Sequence, residues 1–159
     1  MNEAKTEAFK VEVLQDYYAL DKGPSLDAWL AGDHQQAISI MEQDGPNQWC
    51  LDYGKKTINK VRIHIVEEPY TPYIEWELEI YRRVLIPSTK EQISLVPKST
   101  VQSLELPDGD FWIFDDKRVV RYHYKDTKTY QGDVYDEGDD ISQFLTLKTE
   151  LLKLVQPIE

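Results

Sequence analysis

Asp110-Phe-Trp-Ile-Phe-Asp-Asp-Lys-Arg-Val-Val-Arg-Tyr-His-Tyr124 sets two apolar, aromatic-rich runs on either side of a charged turn, Asp115-Asp116-Lys117. Two strand-like runs joined by a short polar segment predict a β-hairpin, Phe111–Phe114 with Arg118–Tyr124. Aspartate suits the turn because its carboxylate accepts nearby backbone N–H bonds. Asp116 is also within reach of Arg118 or Arg121 as an ion pair across the hairpin. The element brings Trp112, Asp116, Arg121 and His123 together, so both the fold and the candidate chemistry start here.

Working outward, Ala8–Leu14 alternates Phe9, Val11 and Val13 with Lys10 and Glu12, the pattern of a half-buried strand. Asp21–Pro24 is a turn, Leu26–Ala31 a short helix stopped by Gly32, Ala37–Gln43 a helical turn, and Asn47–Tyr53 another short helix ended by Gly54. Lys60–Val66 is a second strand, with Val61, Ile63 and Ile65 on one face and Arg62, His64 and Val66 on the other. Residues 73–85 fit two patterns. Ile74, Trp76, Leu78 and Ile80 alternate with acids as in a strand, yet Tyr73, Trp76, Ile80 and Val84 share a helix face. Thr71-Pro72, an N-cap residue followed by proline at the first helical position, decides for helix, and Glu79 can pair with Arg83 at the i,i+4 spacing.

Gln92–Val96 and Thr129–Tyr135 read as further strands, the latter with Gly132 as a bulge. The acidic run 136–140 is expected to cap a last helix through Ile141, Phe144, Leu145, Leu151, Leu152 and Val155. This order predicts a single α+β domain over residues 1–159, a mainly antiparallel sheet with helices packed on one face.

The chain has 159 residues, and four Trp, ten Tyr and four Phe supply ample apolar area for a core. A net charge of −11 disfavours direct nucleic-acid binding, although residues 55–98 are locally basic. No apolar run approaches the roughly 20 residues of a membrane span, and the first residues lack a signal-peptide layout. A cytoplasmic protein without a membrane partner is expected. The one cysteine, Cys50, rules out an internal disulfide framework and any cysteine-based zinc site, and reads as a buried thiol. Catalytic serine, phosphate-loop and dinucleotide fingerprints are missing. No cofactor and no metal set are expected.

Ala8-Phe9 with Val11-Glu12, Trp29–Gly32, Val61–Ile63 leading to Glu68-Pro69, Tyr73 with Glu77-Leu78, and above all Phe111-Trp-Ile-Phe-Asp-Asp116 with Val119–Arg121 and His123-Tyr124 together carry a resemblance. The chain resembles a bacterial family of domains of unknown function, marked by Phe-Trp-x-Phe-Asp-Asp and often encoded near helix-turn-helix regulators. The resemblance implies a cytosolic bacterial protein with a regulatory or partner-binding role, a helix-turn-helix regulator being one such partner, and implies no chemistry.

Two functions follow from the residues. The first is a non-enzymatic binding module whose surface is built by the 111–124 hairpin and the 67–77 segment. Tyr70, Tyr73 and Trp112 are its anchors, with Asp116, Arg121 and His123 giving polar specificity. The second is a small metal-dependent or acid–base hydrolase or nuclease. There Glu67, Glu77 and Asp116 bind a metal or act as base, Arg121 holds an anion and His123 moves a proton. A site joining His64 and His123 requires that their strands be neighbours.

Overall fold

The computed structural model describes residues 4–126 and 129–158. Its centre is β1 (Glu7–Glu12), flanked by β2 (Asn59–Val66) on one side and β4 (Phe111–Phe114) on the other. With β3 (Gln92–Pro97), β5 (Arg118–Asp126) and β6 (Thr129–Tyr135) these form one sheet in the order β3-β2-β1-β4-β5-β6. β1, β2 and β3 run parallel, whereas β1, β4, β5 and β6 pair antiparallel. The fold is α+β, as the sequence predicts, but the sheet is mixed.

The parallel half has a physical cause. Parallel strands need long crossover connections, and here both connections carry helices. Between β1 and β2 lie α1 (Tyr18–Asp21), α2 (Pro24–Leu30), α3 (His34–Asp44) and α4 (Gln48–Gly54). Between β2 and β3 lie α5 (Pro72–Ile80), a π-helical turn (Tyr81–Leu85) and α6 (Ile86–Thr89). These helices cover one face of the sheet, and α7 (Ser142–Leu152) covers the other. Helices on both faces, rather than one, correct the expectation.

Residues 73–85 are helical, as the start signal indicates. Thr71 Oγ1 accepts from Ile74 N at 3.2 Å, and Pro72 holds the first helical position. The acidic run does not cap α7 as expected. The N-cap is Ile141, and the Asp140 carboxylate instead accepts from the Ser142 hydroxyl at 2.6 Å. Gly132 pairs in register with Tyr122, and the slip between β5 and β6 falls between Tyr124 and Asp126.

The hairpin forms as read. Asp115 and Asp116 have φ of 53° and 56°, the positive values that both central residues of a type I′ turn require. Lys117 N–H donates to Phe114 O at 3.0 Å to close the turn. The Asp115 carboxylate turns back to accept from the backbone N–H groups of Lys5, Thr6 and Glu7 at 2.8–2.9 Å, pinning the start of β1. Burial would raise its pKa, but these donors outweigh that and hold it well below the usual carboxylate range. At the other end, Gly109 lets the chain run against β5. A Cβ there would sit 1.8 Å from Tyr122 O, so only glycine permits the approach that aims Asp110 inward.

Strand alternation gives the two faces different interiors. Phe9, Val11, Ile63, Ile65, Phe111, Ile113 and Val119 meet Phe144, Leu147 and Leu151 of α7 in an apolar core. On the opposite face, β1 and β2 present Lys10, Glu12, Arg62 and His64, the last three buried and Lys10 half-buried.

Candidate functional site

The register pairs Glu12 with His64 and Lys10 with Arg62 on neighbouring strands. Arg62 is 5 %, Glu12 5 % and His64 0 % exposed. Charges this deep are costly unless each finds partners. Arg62 Nη1 donates to Glu12 Oε1 at 3.0 Å and Nη2 to both Glu91 oxygens at 3.2 Å. Lys10 Nζ also contacts Glu12 Oε1, and Tyr81 Oη donates to Glu12 Oε2 at 2.8 Å. Burial pushes the Glu12 carboxyl up, but Arg62, Lys10 and His64 together hold it well below its ordinary range.

His64 Nε2 lies 2.6 Å from Leu14 O. A carbonyl can only accept, so Nε2 carries a proton. Nδ1 faces Tyr81 Oη at 3.1 Å and Glu77 Oε2 at 2.8 Å. Glu77 Oε2 lies off the N–H direction and has no hydrogen-bond partner among the described residues, so its contact with the imidazole is one of charge. Burial lowers the imidazole pKa, but Glu77, then Glu12 and the Leu14 carbonyl, outweigh it and hold it up at about 9.

α5 and the π-turn roof this cluster. The amphipathic spacing of α5 turns Tyr73, Ile74, Trp76 and Glu77 inward. The π-turn that follows delivers Tyr81, 1 % exposed, onto Glu12 and His64. Such widened turns inside helices occur often at functional sites.

A second set of acids is held by tyrosines. Tyr17 Oη and Tyr124 Oη each donate to Asp110 at 2.8 Å, and Val13 N donates at 2.9 Å. Tyr73 Oη donates to Asp21. Burial, reinforced by neighbouring acids, pushes the phenol pKa values of Tyr17, Tyr73, Tyr81 and Tyr124 far up, so all four remain neutral donors. Burial also raises the pKa of Asp21 and Asp110.

Between floor and roof lies a cavity of about 290 Å³. Glu12, Asp21, Glu77 and Asp110 line it with Lys10, Arg62 and the Tyr17, Tyr81 and Tyr124 rings, and Trp76, Ile80 and Leu85 supply apolar wall. Leu20, 46 % exposed, stands at its edge. Glu12, Glu77 and Glu91 are matched by Arg62, Lys10 and His64, but Asp21 and Asp110 have only neutral donors within hydrogen-bond distance. The cavity is therefore short of positive charge.

Residues 1–159 match the family model described as Domain of unknown function (DUF6879). The chain belongs to the DUF6879 family. No curated protein and no solved structure matches it.

In this DUF6879 chain the candidate residues read from the sequence separate. Glu77 lines the cavity, and Tyr73 adjoins it through Asp21. Trp112 is 4 % exposed, stacked 5.4 Å from Phe114 and edge-on to Tyr53 at 6.2 Å, as core. Asp116 pairs with Lys148 of α7 at 2.7 Å, not with Arg118 or Arg121. Arg121 pairs with Asp108 and His123 with Asp133, each at 2.5 Å. Tyr70 packs half-buried beside the α2–α5 cluster, and Glu67 pairs with Lys98 at 2.6 Å in solvent. His64 and His123 point to opposite faces of the sheet, because Glu12 and His64 share one face while Phe111 pairs with Arg121 on the other. A larger depression of about 500 Å³ lies beside Phe114 and Val134, but its charges are solvent ion pairs such as Arg118–Asp136 at 2.6 Å.

Glu12, Arg62, Asp110 and Tyr81 escape sequence reasoning as site residues. One signal was present. A strand enclosed on both faces normally reads as nearly all apolar, so Arg62 and His64 on such a strand demand buried partners.

Proposed function

We propose that this chain is a non-enzymatic regulatory module of a bacterial cytosol that binds a small cationic ligand in the cavity between β1, β2 and α5. The observation that carries the reading is the charge shortfall. Asp110 is buried, Asp21 stands at the exposed rim of the cavity, and both take hydrogen bonds only from neutral donors. A cation entering the cavity relieves their desolvation, while Trp76, Ile80 and Leu85 accept the apolar part of the ligand. His64 is fully buried and is not among the cavity-lining residues, which favours binding over acid–base turnover by that group. The protein partner is a helix-turn-helix regulator, for which the resemblance to the Phe-Trp-x-Phe-Asp-Asp family is the support. The hydrolase reading keeps one argument, the convergence of Glu12, His64 and Glu77, and loses the His123 and Arg121 half of its proposed machinery.

Thermal unfolding with spermidine, ethanolamine, glucosamine and argininamide tests the reading. A ligand that binds only the native state raises the midpoint. At least one of these cations is expected to do so in the wild type, with the shift reduced in Asp110→Asn and Asp21→Asn. The absence of a shift with every one of these cations, or an equal shift in both variants, overturns it.

A further inference from the structure

Extending that pocket reading, we infer that the cavity also holds, on its floor and apart from the Asp110 subsite, a divalent transition metal bound by Glu12, His64 and Glu77. Nδ1 of His64 and one carboxylate oxygen from each glutamate all lie within 4.8 Å of one another. Among the described residues no other set of His, Cys, Asp or Glu atoms gathers this way. Nδ1 is 2.8 Å from Glu77 Oε2 and 3.9 Å from Glu12 Oε2. Metal bonds to imidazole nitrogen and carboxylate oxygen run about 2.0–2.2 Å, which places ligand atoms roughly 3–3.6 Å apart around a tetrahedral ion. The two separations from Nδ1 bracket that range.

Two independent features point to a ligand at this place. Glu77 is 7 % exposed, and its Oε2 is aimed into the cluster with no hydrogen-bond partner among the described residues. Its one close neighbour is the His64 imidazole, a contact of charge, and a metal between the two supplies the directed bond that this oxygen lacks. His64 also donates Nε2–H to a backbone carbonyl, the outer contact that metal-bound histidines make to fix tautomer and ring orientation, leaving Nδ1 to ligate.

The division of labour at Glu12 is compatible with this. Oε1 takes Arg62 and Lys10, while Oε2 takes only the neutral Tyr81 hydroxyl. Binding replaces the proton on Nδ1 by the metal and releases that proton to solvent. One imidazole and two carboxylates suit zinc, cobalt, iron or manganese rather than calcium. Because Glu12 and Glu77 both line the cavity, the remaining coordination positions open toward it.

The test titrates chelator-treated, full-length protein with Co²⁺, followed by visible absorbance and by Zn²⁺ competition. One equivalent is expected to bind, with affinity falling about a hundredfold or more in Glu77→Gln and staying within a few-fold of wild type in Asp110→Asn. A readout that needs no variant is the ¹⁵N spectrum of histidine-labelled wild type. Zn²⁺ should move Nδ1 of one buried histidine and leave its Nε2 protonated. Failure of Co²⁺ and Zn²⁺ to bind, or equal binding by folded Glu77→Gln, overturns the metal assignment. If spermidine or another organic cation still raises the midpoint in that case, the pocket reading survives and the metal alone is wrong.

Discussion

The two faces of this sheet are built from the same strands and differ in what they enclose. Under α7, Phe9, Ile63, Phe111 and their neighbours form an apolar core, with one buried charge, Lys148, over the Phe9 ring and paired outward with Glu7 and Asp116. One residue along each strand, Glu12, Arg62 and His64 are buried beneath α5 with tyrosines and further acids, and Lys10 is half-buried beside them. The first face is explained by folding alone. The second holds charges that apolar side chains would replace at little or no loss of stability. That contrast is the physical reason to place function on the α5 face.

The largest effect that would break the contrast is at Arg62. Arg62→Ala leaves Glu12 and Glu91 buried without their cation and is expected to cost about 3–5 kcal/mol, measured by urea unfolding. Replacing the group together, Arg62→Met with Glu12→Leu and Glu91→Leu, is expected to recover most of that loss and to abolish ligand binding. If the triple variant is as unstable as Arg62→Ala, the charges serve the fold and the contrast fails. On the dry face, Leu151→Ala removes a fully buried side chain and is expected to cost about 2–5 kcal/mol, with ligand-induced midpoint shifts unchanged.

Two aspartates sharpen the comparison through pH. Asp110 has a raised pKa in the fold, so its contribution is present below its unfolded pKa and is lost as pH rises through the folded value. Asp115 has a lowered one, so its contribution is present above the unfolded pKa and is lost as pH falls through the folded value. Unfolding free energies measured across acid to neutral pH should therefore change slope in opposite directions in Asp110→Asn and Asp115→Asn. The smallest expected effect is at Glu67→Ala, which breaks an exposed pair with Lys98 and should cost about 0–1 kcal/mol with no change in binding.

Much of the fold was legible because its signals are local. The hairpin follows from its turn chemistry, and α5 follows from Thr71 and Pro72 despite a competing strand pattern. The parallel pairing of β1 and β2 was harder to read, since a long helical insertion separates the strands and no local pattern records which edges meet. The candidate site was half legible. Glu77 and Tyr73 were named, but Asp116, Arg121 and His123 drew attention because they are close in sequence. The site instead joins Glu12, Arg62 and His64 from adjacent strands to Asp110 and Tyr124, the two ends of the 110–124 segment. Alternation alone places His123 on the opposite face from His64, once the neighbours of each strand are known.

Direct observation of a bound ion decides whether the α5 face of the sheet is a cation site. The most direct test uses crystals grown with Mn²⁺ or with the organic cation that most stabilises the protein. Bound density is expected in the cavity lined by Glu12, Glu77 and Asp110, with an anomalous signal near His64 Nδ1 for manganese. Density confined to the exposed depression at Arg118 and Asp136, with the α5 cavity empty at saturating ligand, would contradict it.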